Sequence, residues 1–524
     1  VLLQLSRRHR AYVRIRIRPA GRTERRIKMS SKAFSMARWQ AAYDSAAPLP
    51  GHAFINNQRV SGKGNRIAVL DPGTGTQLTD TPACGEKEID HAVEAAGEAL
   101  SGPWSGFTPK QRGSLLHRIA EEIRRLRDSL GTVEALDTGK PLGVAKASVD
   151  RTADFFSYYA GIVDKLEGST VPLGPDKICF TEKAPLGVTG HITPWNVPIS
   201  MVARGLAPAL ACGNVAVIKP AEDTPMTAIL LAELIAQTGV PPGVVNVVTG
   251  WGDDAGHALS RHPDIRHLTF TGSVETGKKV MTAAATHVAS VTLELGGKSP
   301  HLILADADLE KALPDIIRGM YRNAGQICSA GTRLLLEESI HDEVLGKLST
   351  LVQGIKLGHG LDEPDMGPLI SGRHLARVEG YVERAKARGI EFLTGGGPAA
   401  ITGCEGGFFF QPSIAINVPV HDELAQKEIF GPVLTVIPVR DLEHGIEVGN
   451  ATTYGLAAGI HTRDIGKAMR FARGVEAGQV YINGYQASGD TVPFGGMKDS
   501  GIGREKGLAG LHAYCQSKAV TISL

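Results

Sequence analysis

The sequence predicts an α/β protein with two doubly wound parallel-sheet domains, and three observations carry that expectation. Its 524 residues exceed what one hydrophobic core organises, so at least two domains are expected. From about residue 50 onward, short apolar runs alternate with longer helical patterns and are separated by Gly/Pro turns. This strand–helix–strand alternation occurs on both sides of Gly297, and repeated crossovers of that kind belong to parallel sheets covered on both faces.

Taken in order, Phe54 to Gln58 reads as a strand running into a turn. Residues 87–101 and 109–136 have helical spacing, the second opened by Pro109 and stopped by Gly139-Lys140-Pro141. Val188–Ile192, Asn214–Ile218, Val244–Val248 and His267–Phe270 read as strands of the first sheet, with a helix at Met226–Thr238 between them. In the second, Pro300–Leu304 and Arg333–Glu337 are strands, and helices are expected across 309–324, 340–353 and 371–389. Val520 to Leu524 alternates like a strand, and Lys177–Lys183 is its expected partner region.

Hydrophobic content of 42% and charged content of 21% lie near globular averages. No apolar run reaches the ~18–20 residues that span a bilayer, so a soluble protein without a membrane partner is expected. Residues 1–30 hold ten Arg or Lys against one acid, Glu24, which leaves 46 basic and 53 acidic residues, net −7, in the remainder. A mildly acidic body lacks the basic face a nucleic-acid binder needs. The Arg-rich start alternates Val13, Ile15 and Ile17 with Arg14, Arg16 and Arg18, a period of two rather than that of an amphipathic presequence helix. It is read as a disordered tail, or as sequence upstream of a start at Met29, with a presequence or a tether as alternatives. Six scattered cysteines without a C-x-x-C pair argue against a disulfide framework or zinc site. A reducing compartment, the cytoplasm, is expected, and no metal.

Five motifs carry chemistry, each with a plain structural alternative. Gly272-Ser273 to Gly277-Lys278 follows a strand and resembles a P-loop, but Lys279 stands where a Mg²⁺-binding hydroxyl is required. It remains a glycine-rich turn opening a helix, able to receive a phosphate or simply to connect two elements. Lys219-Pro220-Ala221-Glu222 ends a strand, where ligands bind in such sheets; it is either a ribose contact or a surface turn. Glu294, inside the apolar run Leu293-Glu294-Leu295, is either a desolvated general base or a salt-bridged structural acid. Cys328, in the bare loop Gly325-Gln326-Ile327-Cys328, is either a nucleophile or a structural thiol. Asn196, held between Pro194 and Pro198, is either an oxyanion donor or a turn residue.

Together a thiol, a carboxylate, a fixed amide and a dinucleotide-type turn suit one chemistry. A thiolate adds to an aldehyde, hydride passes to a nicotinamide, and a base-activated water hydrolyses the resulting thioester. At this point the chain, from about residue 52 onward, resembles the aldehyde dehydrogenase superfamily. The resemblance rests on Pro194-Trp195-Asn196, Lys219 to Glu222, Phe270-Thr271-Gly272-Ser273, Glu294 to Lys298, Gly325 to Cys328, Glu428-Ile429-Phe430-Gly431-Pro432 and Pro493-Phe494-Gly495-Gly496, in family order.

The resemblance implies that Cys328 is the nucleophile, Glu294 the deacylation base, and Asn196 with the Cys328 N–H the oxyanion hole. It implies NAD as cofactor, with NADP disfavoured by the charge of Glu222. Lys219 and Glu222 would contact the adenosine ribose, Gly272, Ser273 and Gly277 lie near the pyrophosphate, and Glu428 hold the nicotinamide ribose beside Phe430. Thr193, Trp195 and Leu295 would line the same cleft, and Met201, Arg204 and Phe494 the aldehyde side. The implied fold has two Rossmann-type domains and a small β oligomerisation hairpin, giving a homodimer or homotetramer. Residues 1–48 would be the disordered extension, 49–166 and 186–296 the NAD-binding domain with 494–513 returning to it, 297–493 the catalytic domain, and 167–185 with 514–524 the oligomerisation segment. Two positions depart from many members. Arg204 stands where Trp is common and Gly205 where Lys is common, so a cation behind the site is expected to be missing. Arg204 would either bind an anionic tail, as on a semialdehyde, or pair with a structural acid; an aromatic aldehyde is also compatible. An acyl-CoA-forming enzyme and a non-enzymatic binding protein are the rival functions.

Overall fold

The computed structural model describes residues 34–524 except Lys63 and Ser488. The basic run over residues 1–30 lies outside the described residues. Two large sheets each have their own hydrophobic core.

In the first sheet, Val188–Ile192 is the central strand. Val215–Lys219 and Val245–Val247 follow on one side, Ile265–Thr271 and Ser290–Glu294 on the other, all parallel. Antiparallel strands Ala53–Ile55 and Gly501–Ile502 sit at the flanks. Val215–Lys219 is buried at every residue, as expected of a strand covered on both faces. The chain turns back across the sheet between Val188–Ile192 and Ile265–Thr271, which opens a crevice at the carboxyl ends of these strands.

In the second sheet, Ser413–Ile416, Val433–Val439, Arg333–Glu337, Pro300–Ile303, Ala457–His461 and Gln479–Ile482 are parallel in that spatial order. Glu391–Thr394 adds antiparallel at one edge. A third, separate sheet pairs every residue from Cys515 to Ser523 with Pro185 back to Lys177, the partnership anticipated for the terminal strand.

Two expectations are corrected. The helix read across 109–136 is two helices, Pro109–Arg125 and Arg127–Thr138, because Leu126 leaves helical geometry at φ −96°, ψ 14°. The disordered extension to residue 48 also does not hold for its described part, since Met36–Ala46 is a helix. Ser35 caps it, Trp39 stacks on Tyr43 at 5.4 Å, and the Trp39 indole donates to Asp71 Oδ2 at 2.6 Å. Trp39 and Tyr43 are four residues apart on one helical face, and a reading led by the arginines passes over them.

One arginine locks the start of the second sheet. Arg333 is fully buried, and its Nε, Nη1 and Nη2 donate to the carbonyls of Lys298, Val448 and Gly449 at 2.7, 2.9 and 2.6 Å. It joins the chain leaving Glu294 to the chain leaving Cys328.

Candidate active site

The crevice of the first sheet opens toward the second and forms a cleft of about 340 Å³. Thr271, Gly272 and Glu294 reach it from the first sheet, and Cys328, Glu428 and Phe430 from loops of the second domain. Trp195, Asn196, Met201, Arg204, Ser273, Leu295 and Phe494 also line it.

The loop before Cys328 has an unusual backbone. Asn323, Ala324 and Gly325 are left-handed, with φ of 53°, 54° and 73°, a conformation that costs a residue with a Cβ about 1–2 kcal/mol. A Cβ on Gly325 would come within 2.4 Å of the Gly431 carbonyl, so only glycine fits. The loop is held from outside: the Tyr485 hydroxyl donates to the Ser329 carbonyl at 3.0 Å, and the Gln326 side chain donates to the Asn323 carbonyl at 2.9 Å. Cys328 is a free, half-buried thiol. Loss of solvent pushes it up to about 12; Arg204 pulls it down, and Glu294 and Glu428 push it up. It rests as the thiol.

Glu294 ends its strand 2% exposed, and neither carboxylate oxygen has a hydrogen-bond partner. Burial pushes it up to about 8, against the pull of Arg204 and with the push of Glu505. A carboxyl of that kind accepts a proton near neutral pH far better than an ordinary one. Gly495 lets the chain pass beside it, since a Cβ there would sit 2.9 Å from Glu294 Oε1. Asn196 is buried, and its Nδ2 donates to the Gln326 carbonyl at 2.9 Å, two residues before the thiol. Thiol, carboxylate and amide therefore meet in one cleft.

Arg204 lines the cleft yet is paired. Its Nε lies 2.5 Å from Glu505 Oε2, its Nη2 lies 3.8 Å from Glu294 Oε2, and its guanidinium stacks 4.5 Å from the Phe494 ring centroid. Of the two readings of Arg204, the structure has the one in which a buried acid takes the charge. It also corrects the expectation of a missing cation behind the site, because Arg204 supplies one.

The cofactor-side residues divide into two groups. Gly272, Ser273, Trp195, Leu295, Glu428 and Phe430 face the cleft, whereas Thr193, Lys219, Glu222 and Gly277 stand beside it. Ser273 caps the helix Val274–Ala285 by accepting from the Thr276 N–H at 3.2 Å. Lys219 Nζ reaches Glu222 Oε2 at 3.3 Å at the end of its strand, and Thr193 N–H donates to the Lys219 carbonyl at 3.1 Å. Gly277 packs the helix against Leu295, which a Cβ would meet at 2.4 Å. Glu428 accepts from the Gly297 N–H at 3.1 Å, and loss of solvent pushes its carboxyl up to about 7. The Trp195 and Phe430 rings meet edge to face at 5.2 Å. A helix N-terminus, a bare turn and two carboxylates at the strand ends and loops are groups able to receive a dinucleotide.

Sequence reasoning missed Arg151, Arg322, Lys506 and Phe155, which also line the cleft, and Glu505, which pairs with Arg204. They come from a mid-helix position, a helix end and a segment close to the C-terminus, with no local pattern to single them out. Only the charged run Arg504-Glu505-Lys506 beside the Pro493–Gly496 motif was a signal.

Comparison with known proteins identifies the family. The model of the aldehyde dehydrogenase family matches residues 59–520. An aldehyde dehydrogenase of Alternaria alternata is 41% identical over 479 residues, covering 91% of this chain and 96% of that protein. The betaine aldehyde dehydrogenase of Bacillus subtilis is 41% identical over 472 residues, covering 89% and 96%. Among solved structures, a betaine aldehyde dehydrogenase of Staphylococcus aureus in complex with NAD+ superposes with a TM-score of 0.91 at 37% identity, covering 93% of this chain and 98% of that one. With a family model spanning most of its length and relatives this similar, the chain belongs to the aldehyde dehydrogenase family.

Proposed function

We propose that the chain oxidises an aldehyde to a carboxylic acid with NAD, through a covalent adduct on Cys328. The observation that carries this reading is the meeting of Cys328, Glu294 and Asn196 in one cleft at the carboxyl ends of the first sheet's strands. Cys328 gives its thiol proton to Glu294, which passes it to solvent, and the resulting thiolate adds to the aldehyde carbon, forming a C–S bond and an oxyanion. Asn196 Nδ2 and the Cys328 N–H stabilise that oxyanion. Bound NAD supplies the acceptor for the hydride leaving that carbon. Glu294 then takes a proton from water, which attacks the thioester carbon, and the C–S bond breaks to return the thiolate.

Lys219 and Glu222 would hold the adenosine ribose, Gly272, Ser273 and the helix N-terminus the pyrophosphate, and Glu428 with Phe430 the nicotinamide ribose. Thr193, Trp195 and Leu295 complete that side, and Gly277 keeps the helix close. Glu222 repels a 2′-phosphate, which favours NAD over NADP. The NAD+ complex of the Staphylococcus aureus relative supports this reading.

The substrate is a semialdehyde or an aromatic aldehyde. Phe155 and Phe494 supply apolar walls and Arg151, Arg322 and Lys506 a cationic end; Met201 lies along the same wall. Val171, Ile178 and Ile522 are exposed on the three-stranded sheet, with Leu173 and Leu524 exposed beside it, which supports assembly into a dimer or tetramer through that sheet. The first sheet then serves the cofactor and the second the nucleophile. Among the described residues no helix is long and apolar enough to cross a membrane, and the six free cysteines suit a reducing, cytoplasmic setting.

The test is an aldehyde panel assayed with NAD at the absorbance band of NADH, with and without CoA. Acid formation without CoA, abolished in Cys328→Ser, is expected. Strict dependence on CoA, or NADH formation by Cys328→Ser, would overturn the reading.

A further inference from the structure

We propose that Arg204 is the positioning residue for Glu294: clamped by Glu505 and stacked on Phe494, it sets the charge and the placement of the hydrolytic carboxylate. This rests on the reading of Glu294 as the base.

Arg204 lies on the helix Pro198–Cys212, in which every residue except Met201 is buried. Three contacts fix the guanidinium: Glu505 Oε2 at 2.5 Å from Nε, the Phe494 ring at 4.5 Å, and Met201 Sδ at 3.6 Å from Nη1. Glu505 is itself held, since its Oε1 accepts from the Thr269 hydroxyl at 3.1 Å. The two carboxylates flank one cation but are held differently. Glu505 Oε2 is in ionic contact with Arg204 without a hydrogen bond and its Oε1 is anchored by Thr269, whereas Glu294 lies 3.8 Å away with neither oxygen hydrogen-bonded. That separation is a charge contact and too long for a hydrogen bond. Glu294 feels the cation while both its buried oxygens stay free of hydrogen bonds. An Arg does not release its proton in proteins, so its part is electrostatic and steric.

The adjacent position, Gly205, cannot take this place. A Cβ at Gly205 would meet His191 Nδ1 at 2.7 Å and the Tyr514 hydroxyl oxygen at 3.1 Å. His191 is itself driven neutral by burial and by His267. The remaining charged and titratable groups around Glu294 and Arg204 are Arg504, Lys506, Cys328, Tyr159 and Tyr514. They are common to every variant below and set a shared baseline, so differences between variants report the Arg204–Glu505 pair.

The experiment measures hydrolysis of the acyl-enzyme against pH for wild type, Arg204→Met, Arg204→Lys and Glu505→Gln. Arg204→Met removes the attraction and moves the midpoint of the rising limb up by about one pH or more. Glu505→Gln removes a repelling charge and frees Arg204 for Glu294, which moves the midpoint down. Arg204→Lys lies between wild type and Arg204→Met. Opposite displacements are not what a merely structural loss gives. Should Arg204→Met fail to fold with Glu505 buried and unpaired, Arg204→Met/Glu505→Gln replaces it, and its midpoint is expected above that of Glu505→Gln. Unmoved midpoints, or displacement in one direction for both single variants, would overturn the proposal alone. An unchanged limb in Glu294→Gln would instead overturn the reading of Glu294 as the base, and this proposal with it.

Discussion

Asn196 Nδ2 donates to the carbonyl of Gln326, two residues before Cys328, at 2.9 Å. Together with the Asn323 Nδ2 donation to the Asn196 carbonyl at 3.2 Å, this bond ties the loop leaving the central strand of the first sheet to the loop that carries the thiol. The amide has a second N–H, so it can anchor the loop and still donate to an oxyanion. Asn196→Ala is expected to lower kcat by roughly 10²–10³-fold, the cost of one oxyanion donor, with a much smaller change in KM. Steady-state kinetics check this, and a change confined to KM would count against the role.

The hydrolytic step should follow the ionisation of Glu294. Burial and Glu505 raise its carboxyl while Arg204 restrains it, to about 8. A base must be ionised to act, so acyl-enzyme hydrolysis should climb about tenfold per pH below that value and level off above it. Rapid-quench or burst measurements of the second step across this range test the sign. A rate that is already level at pH 6 would contradict it.

Arg333 gives a stability prediction. Its guanidinium satisfies three buried carbonyls, and an unsatisfied buried acceptor costs about 1–3 kcal/mol. Arg333→Met should therefore destabilise the protein by at least about 3 kcal/mol, read by urea denaturation. Because Lys298 and Arg333 follow Glu294 and Cys328 by four and five residues, activity should be lost at temperatures where the fold survives.

Much of this was legible in the sequence, and the exceptions share a cause. Strand Arg333–Glu337 was anticipated to the residue, and Val188–Ile192 likewise, because continuous apolar runs between Gly/Pro turns have one good interpretation in an α/β chain. Cys328, Glu294 and Asn196 each sit in an unusual local setting, a bare loop, an apolar run and a pair of prolines, but that setting left a structural alternative open for each, and only the resemblance of the whole motif set singled them out. Glu505 was not legible, because its importance comes from Arg204, 301 positions away in the chain, and contact across folds leaves no local pattern. The same holds for Arg151, Arg322 and Lys506. The break at Leu126 was hidden because the apolar period continues through it. The helix Met36–Ala46 was hidden because arginines dominated the view of the N-terminal region.

The cationic end of the cleft predicts substrate preference. Arg151 pairs with Asp490 at 3.8 Å, and burial and repulsion from Arg151 and Arg318 lower Arg322 from its ordinary value. An aldehyde bearing a carboxylate relieves that repulsion, and a quaternary ammonium aldehyde adds to it. Succinate semialdehyde is expected to exceed betaine aldehyde in kcat/KM, and Arg322→Ala should reduce the ratio by about tenfold, one charge contact's worth in a partly buried site. An unchanged ratio would place the anion contact elsewhere.

The most direct test of the account is the intact mass of Glu294→Gln enzyme quenched seconds after mixing with aldehyde and NAD. Slowed hydrolysis should trap an acyl group on Cys328, located by peptide mapping and absent from Cys328→Ser. Sustained NADH production with an unmodified Cys328 would contradict covalent catalysis at this residue.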